Sequence, residues 1–271
     1  NNRTINIIGN AEERYKEDPV HMLRAARFAA KLGFELEKTT EAAITTQAAL
    51  LDHIPPARLF DESLKLLLGG AATATMESLA RYNLLEHLFP LTAASLPKSK
   101  TNQKLIEKVC VNTDKRIRQN KRITPAFIYA ALLWPAMVEE MNKHINNGLK
   151  PGEAKHKAMA SVIQQQVQRT AIPKRFTIPM REIWQLQYGL EKRQGKRVYS
   201  LLEHPRFRAA YDFLLLREDS GEDLGGIGSW WTHIQTQDEA GQQDMVGELQ
   251  AKASKPRRRR TNKPKQSSQQ Q

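Results

Sequence analysis

The sequence predicts an all-α protein. Apolar residues recur at three- and four-residue spacing through most of the chain, and the strict alternation of a half-buried strand is missing almost everywhere. Proline and glycine also fall where such helices would begin and end. A length of 271 residues allows one or two domains, and 40% hydrophobic content is enough for a core. No apolar run reaches the roughly 18 residues that a membrane-crossing helix needs, and no charged-then-apolar leader opens the chain. One cysteine excludes an internal disulfide and suits a reducing cytoplasm; Cys110 lies in an apolar run and reads as a small buried hydrophobe.

The elements follow in order. Ile5, Ile7 and Ile8 before Gly9-Asn10 read as an extended segment leading into the first long helix, 17–34. Asp18 caps that helix, Pro19 takes the first helical position and Gly33 stops it. A turn over 35–40, with Thr40 as cap, leads to a helix ending near residue 51, which Pro55-Pro56 breaks. The next helix starts near Ala57 and stops at Gly69-Gly70, with Arg58 and Glu62, and Asp61 and Lys65, as i, i+4 pairs. A helix over 72–88 ends at Phe89-Pro90, and residues 91–101 read as a linker and domain boundary. Helices are then expected over 102–118, 125–146, kinked or split at Pro135, and 153–170. Residues 219–250 read as a loop with a short helix that packs Trp230-Trp231 on the body, and 251–271 as a disordered, low-complexity basic tail.

Charge then points to a partner. The net charge is +13, and residues 252–265 supply eight cations and no anion, more than half of the excess. A basic tail with no apolar residues to insert favours nucleic acid over a membrane. In 17–34, EDPVHMLRAARFAAKLGF, Met22, Leu23, Ala26, Ala29 and Ala30 share one arc, and His21, Arg24, Arg27 and Lys31 the opposite one, with Asp18 beside His21. That row suits an anionic ligand, and it equally suits a solvated face of pairing charges. Residues 172–217 carry Lys174, Arg175, Arg193, Lys196, Arg197, Arg206, Arg208 and Arg217, interleaved with Phe176, Trp184, Tyr188, Tyr199, Phe207 and Tyr211. Cations there would contact RNA phosphates and exposed aromatics would stack bases, although Trp184, Tyr188 and Leu190 stand at core-like helical spacing. In the tail, Arg257, Arg258, Arg259 and Arg260 would bind RNA by counterion release. Zinc-ligand spacing, a phosphate loop and a serine elbow are all missing from the sequence.

Residues 17–34 resemble the EDxxR motif of the nucleotidyltransferases that include bacterial poly(A) polymerases and CCA-adding enzymes. The likeness extends to IPPARLFDESLKLLL (54–68), IPKR (172–175), IWQLQ (183–187), RQGKR (193–197) and LLEHPRFRAAY (201–211), in the family's order. It implies helical neck and body domains of a nucleotidyltransferase with a disordered basic tail, divided as 1–95 (neck), 96–219 (arginine-rich body), 220–250 (loop with short helix) and 251–271 (tail). It also implies that Asp18, His21, Arg24 and Arg27 face a bound nucleotide and that Arg58 and Glu62 brace them. His21 stands where the motif has arginine, and offers at most two donors against a guanidinium fork. The family's catalytic head, with its Gly-Ser turn and paired aspartates, has no counterpart, since the sequence contains no Asp-x-Asp. The expected activity of the parent protein is therefore transfer of AMP from ATP to RNA 3′ ends. Magnesium is expected only in the missing head, and this chain alone is expected to be inactive. RNA 3′ ends, ATP and RNA-decay machinery are the expected partners, in the cytoplasm. A CCA-adding enzyme and a head-less RNA-binding protein are the alternatives, with the 54–68 block and the basic tail favouring the poly(A) side.

Overall fold

A computed structural model describes residues 3–193 and 195–254. Two short strands, β1 (Thr4–Ile5) and β2 (Glu35–Leu36), pair in parallel with Thr4 opposite Glu35 and Ile5 opposite Leu36. Between them lie α1 (Ala11–Glu17) and α2 (Val20–Leu32). The sequence showed neither α1 nor β2. Pro19 is the residue that enters α2, while Asp18 Oδ1 accepts the Val20 N–H at 3.2 Å from one position further out. Gly33 ends α2 as expected, at φ 63° in the left-handed region that glycine adopts without a Cβ penalty.

Next come α3 (Lys38–Gln47), a 3-10 segment (Ala48–His53) and α4 (Pro56–Leu67). Glu37, not Thr40, caps α3, accepting from the Thr39 and Thr40 N–H groups; the Thr39 hydroxyl, which also donates to it, and then these N–H bonds favour the charged carboxylate and hold its pKa below the ordinary value. Thr40 is buried and bonds Asn6 instead. The single helix expected over 72–88 is two, α5 (Ala72–Arg81) and α6 (Leu85–Leu88), because Asn83 turns left-handed at φ 57°. The expected linker is largely helical: α7 (Pro90–Ser95), a 3-10 turn (Leu96–Lys98) and the start of α8 (Lys100–Arg118), which Ser99 caps. Its hydroxyls look inward, where Thr92 bonds the Leu132 carbonyl and Ser95 that of Thr92.

The long helices are α9 (Pro125–Asn146), α10 (Pro151–Thr170) and α11 (Lys174–Lys192). Pro135 does not split α9. From Ile128 to Met137 the side chains are buried on every side, as a helix apolar all round must be. Trp184 of α11 is buried against α9 and donates its indole N–H to the Ala130 carbonyl at 2.8 Å. Cys110 is buried as expected, and burial pushes its thiol up to about 12.

After α12 (Arg197–Leu202) and α13 (Phe207–Asp219), the expected loop is in fact two helices, α14 (Ile227–Ile234) and α15 (Glu239–Ser254). Trp231 packs on the body as expected, donating to the Leu190 carbonyl. One apolar cluster runs continuously from Ala11 through α2, α4, α9, α10 and α11 to Phe213. A second joins the end of α11 to α12, α13, α14 and Val246. Helices on both sides of residue 95 therefore share a core.

Candidate nucleotide flank and RNA-binding surface

The inner face of α2 buries Met22, Leu23 and Ala26 completely, which fixes the roll of the helix and turns its charged arc outward. That arc meets α4. Arg58 donates to Asp18 at 2.7 Å, and Arg24 lies 3.4 Å from Glu62, so two ion pairs tie the helices across about 40 residues of chain. The i, i+4 partners expected within α4 are not made: Arg58 turns to Asp18, and Lys65 turns to Glu62 at 2.8 Å. His21 stands 3.8 Å from Asp18 through Nε2, and Arg27 lies over the Phe28 ring at 4.5 Å.

Glu62 is 3% exposed, whereas His21 and Arg24 keep 39% and 38% of their side-chain surface in solvent. The flank is thus braced from behind and open in front. His21 Nδ1 and Arg27 Nε are shielded from solvent and have no hydrogen-bond partner among the described residues; the imidazole nitrogen donates or accepts according to its tautomer, and the guanidinium nitrogen only donates. An acceptor carboxylate, an imidazole and two guanidiniums suit a base edge and phosphate oxygens. Among the described residues no group of three or more His, Cys, Asp or Glu side chains is placed to hold a metal ion.

The body cations divide into two groups. Arg175, Arg206 and Arg208 come together at the start of α11 and α13, and Lys174 is exposed beside them in sequence. Arg206 pairs with Glu182 and Arg208 with Asp212, each at 3.0 Å. Arg193, Lys196 and Arg197 gather at the other end of α11, whose 19 residues span about 28 Å. There Arg193 lies over the Trp230 ring at 5.6 Å, and desolvation pulls its pKa down. Lys155 joins this group, its pKa lowered by desolvation and then by Lys192 and Arg197.

Arg217 belongs to neither group. It is 2% exposed, bonds Gln187, Glu191 and Glu222, and stacks on Trp134 at 4.4 Å. The interleaved aromatics are also turned inward: Trp184, Phe207 and Tyr211 are buried, and Phe176, Tyr188 and Tyr199 are half-buried. They do not form the open stacking platform the sequence suggested. Arg257, Arg258, Arg259 and Arg260 lie outside the described residues. The sequence reading missed Arg116 and Arg122, which share a cavity with Arg175, Arg206 and Arg208. The signal was present as five cations in the eight residues 115–122.

Two family models match. Residues 33–96 fit the one described as "Probable RNA and SrmB-binding site of polymerase A", and residues 147–265 fit "Polymerase A arginine-rich C-terminus". Over 266 residues the chain is 44% identical to Poly(A) polymerase I of Escherichia coli, covering 96% of this chain and 57% of that protein. The corresponding protein of Haemophilus influenzae is 38% identical over 259 residues, covering 94% and 57%. Likeness to the CCA-adding enzyme of Listeria monocytogenes is 40% over 87 residues, or 32% of this chain and 22% of that one. A solved tRNA-processing enzyme complex shares the fold, with a TM-score of 0.56 at 19% identity over 93% of this chain and 66% of that one. The chain spans a little over half the length of the poly(A) polymerases it matches. The motif blocks, the two family models and 44% identity over 96% of this chain agree, and the chain belongs to the poly(A) polymerase family.

Proposed function

We propose that this chain is the base-facing and RNA-handling portion of a polynucleotide adenylyltransferase that transfers AMP from ATP to RNA 3′ ends. In that reaction the RNA 3′ hydroxyl attacks the α-phosphate of ATP, the bond to the β-phosphate breaks and pyrophosphate leaves. The residues of this chain bind and orient. Asp18, held by Arg58, presents an acceptor to the base. His21 offers the donor or acceptor that Asp18 leaves free, and Arg24 and Arg27 supply positive charge beside the triphosphate. Magnesium, when bound by an adjoining catalytic module, would stabilise charge on the transferring phosphoryl group. Arg58 and Glu62 position α2, and the body cations with the basic tail carry the RNA. A cytoplasmic location and contact with RNA-decay machinery come with this reading through the family resemblance. The observation that carries it is the pair of ties, Asp18–Arg58 and Arg24–Glu62, that hold the charged flank rigid while leaving it half open.

The test has two parts. The 271-residue chain should bind an oligoadenylate with strong salt dependence, and removal of residues 251–271 should lower the affinity and flatten the slope of log K against log salt. The chain should not extend that RNA when given ATP and magnesium. Failure to bind RNA at low salt, or detectable tailing by this chain alone, would overturn the division of labour.

A further inference from the structure

We propose that the cleft where α8 ends and α9, α11 and α13 begin is a binding site for consecutive phosphates of single-stranded RNA. This deepens the RNA-handling reading above and rests on it. The cleft is a cavity of about 410 Å³ to which Arg116, Arg122, Arg175, Arg206 and Arg208 all contribute. Five guanidiniums from segments up to 92 positions apart in sequence converge on one concave surface, and Asp212 is the one carboxylate in its lining. Asp212 is taken by Arg208, and Glu182 reaches in to Arg206. Arg116, Arg122 and Arg175 enter no ion pair among the described residues. Three cations therefore face a common space without a local counter-charge.

The backbone adds to the field. α9, α11 and α13 are 22, 19 and 13 residues long, all three begin at this cavity, and none has a side-chain cap. Their N-terminal dipole ends add positive potential where the guanidiniums already point. Arg116 also bonds the Arg122 carbonyl at 3.0 Å, which fixes the connection after α8 and holds both arginines at the rim. The volume lies in the range of a site for a nucleotide-sized ligand and is too small for a duplex, so the anion that fits is a single strand. Phe176, half-buried in the wall under Arg175, gives a base an apolar edge beside the phosphates. Arg116 and Arg122 lie between the two stretches that the family models match, in a part of the chain to which neither assigns a role.

The test compares two double variants of the full chain, Arg116→Gln/Arg122→Gln and Lys100→Gln/Lys104→Gln. Each removes two charges from the same helix region, with Lys100 about 24 Å and Lys104 about 18 Å from Arg116 along α8. With a ten-nucleotide oligoadenylate as probe, fluorescence anisotropy is read across a salt series. Each lost phosphate contact should reduce the slope of log K against log salt by about 0.7. The arginine variant should thus lose about 1.4 in slope and about tenfold in low-salt affinity, with the lysine variant near the parent. Equal losses in both variants would mean that only net charge matters, and would overturn the proposal. Independently of any variant, an oligomer carrying 4-thiouridine should crosslink the unmodified chain within 112–127; crosslinks confined to the Arg193–Arg197 end would also overturn it. Displacement of the RNA by equimolar ATP from the parent chain but not from the arginine variant would assign the cleft to free nucleotide and overturn the RNA reading of it. RNA binding that persists with an unchanged slope defeats the cleft alone, whereas absence of RNA binding defeats the proposed function as well.

Discussion

Glu62 shows what the brace between α2 and α4 costs and contributes. It is almost fully buried and held by Arg24 and Lys65, both substantially exposed. Removing either cation leaves the other, so Arg24→Met or Lys65→Met alone should destabilise by about 1 kcal/mol or less. Removing both strands a buried carboxylate, which should cost about 3–5 kcal/mol, far more than the sum of the single changes. Urea titrations of the two single variants and the double variant measure this, and Glu62→Gln in the double background should restore most of the loss. At this scale the sequence was half legible. The spacing of Arg58 and Glu62 was plain, but their partners were not, because Asp18 and Arg24 lie about 40 residues away and only the packing of α2 on α4 brings them near. Arg217 carries the same lesson: composition counts it with the RNA cations, and burial against Trp134 removes it from the surface.

At the scale of elements, α5 has no cap of its own. Ala71 precedes it, and the carboxylate of Asp114, from α8, accepts from Ala72 N–H at 2.7 Å, Thr73 N–H at 3.1 Å and the Thr73 hydroxyl at 3.0 Å. Asp114→Ala leaves those donors unpaired in a buried place, and a loss of about 1–3 kcal/mol is expected in thermal or chemical unfolding. Because Asp114 also anchors α8, the same variant should weaken RNA binding through Arg116, two residues on. Helix existence was legible wherever an apolar arc ran long, as in α2, α4, α9 and α10. Boundaries failed where long-range contacts decide them. Thr92 and Ser95 read as linker residues because hydroxyls favour turns, yet both are buried and bonded to carbonyls. Residues 235–238 between α14 and α15 are a short break inside what composition presented as one loop.

For the whole molecule, titration sets one further expectation. Burial raises the Cys110 thiol from 9.0 to about 12, so between those values the unfolded chain would carry a thiolate that the folded chain does not. Stability from this group is intact below about pH 9 and is lost as pH rises from there towards about 12. Iodoacetamide should leave Cys110 unmodified at pH 9 in the native chain and alkylate it rapidly in denaturant; mass spectrometry of the intact protein reads the difference. Family and fold class were legible because the motif blocks are local strings. The clustering of Arg116 and Arg122 with Arg175, Arg206 and Arg208 was not, because it exists only once α8, α11 and α13 are folded around α9.

The apolar cluster that runs from α2 to the helices around the arginine cleft leaves no seam between the two surfaces. These two surfaces are therefore bolted to one chassis at a constant separation, like the jaws of a fixed gauge. A strand shorter than the gap can grip one jaw or the other; a strand long enough to bridge it grips both. Affinity should accordingly step upward at a threshold number of nucleotides instead of climbing smoothly with length.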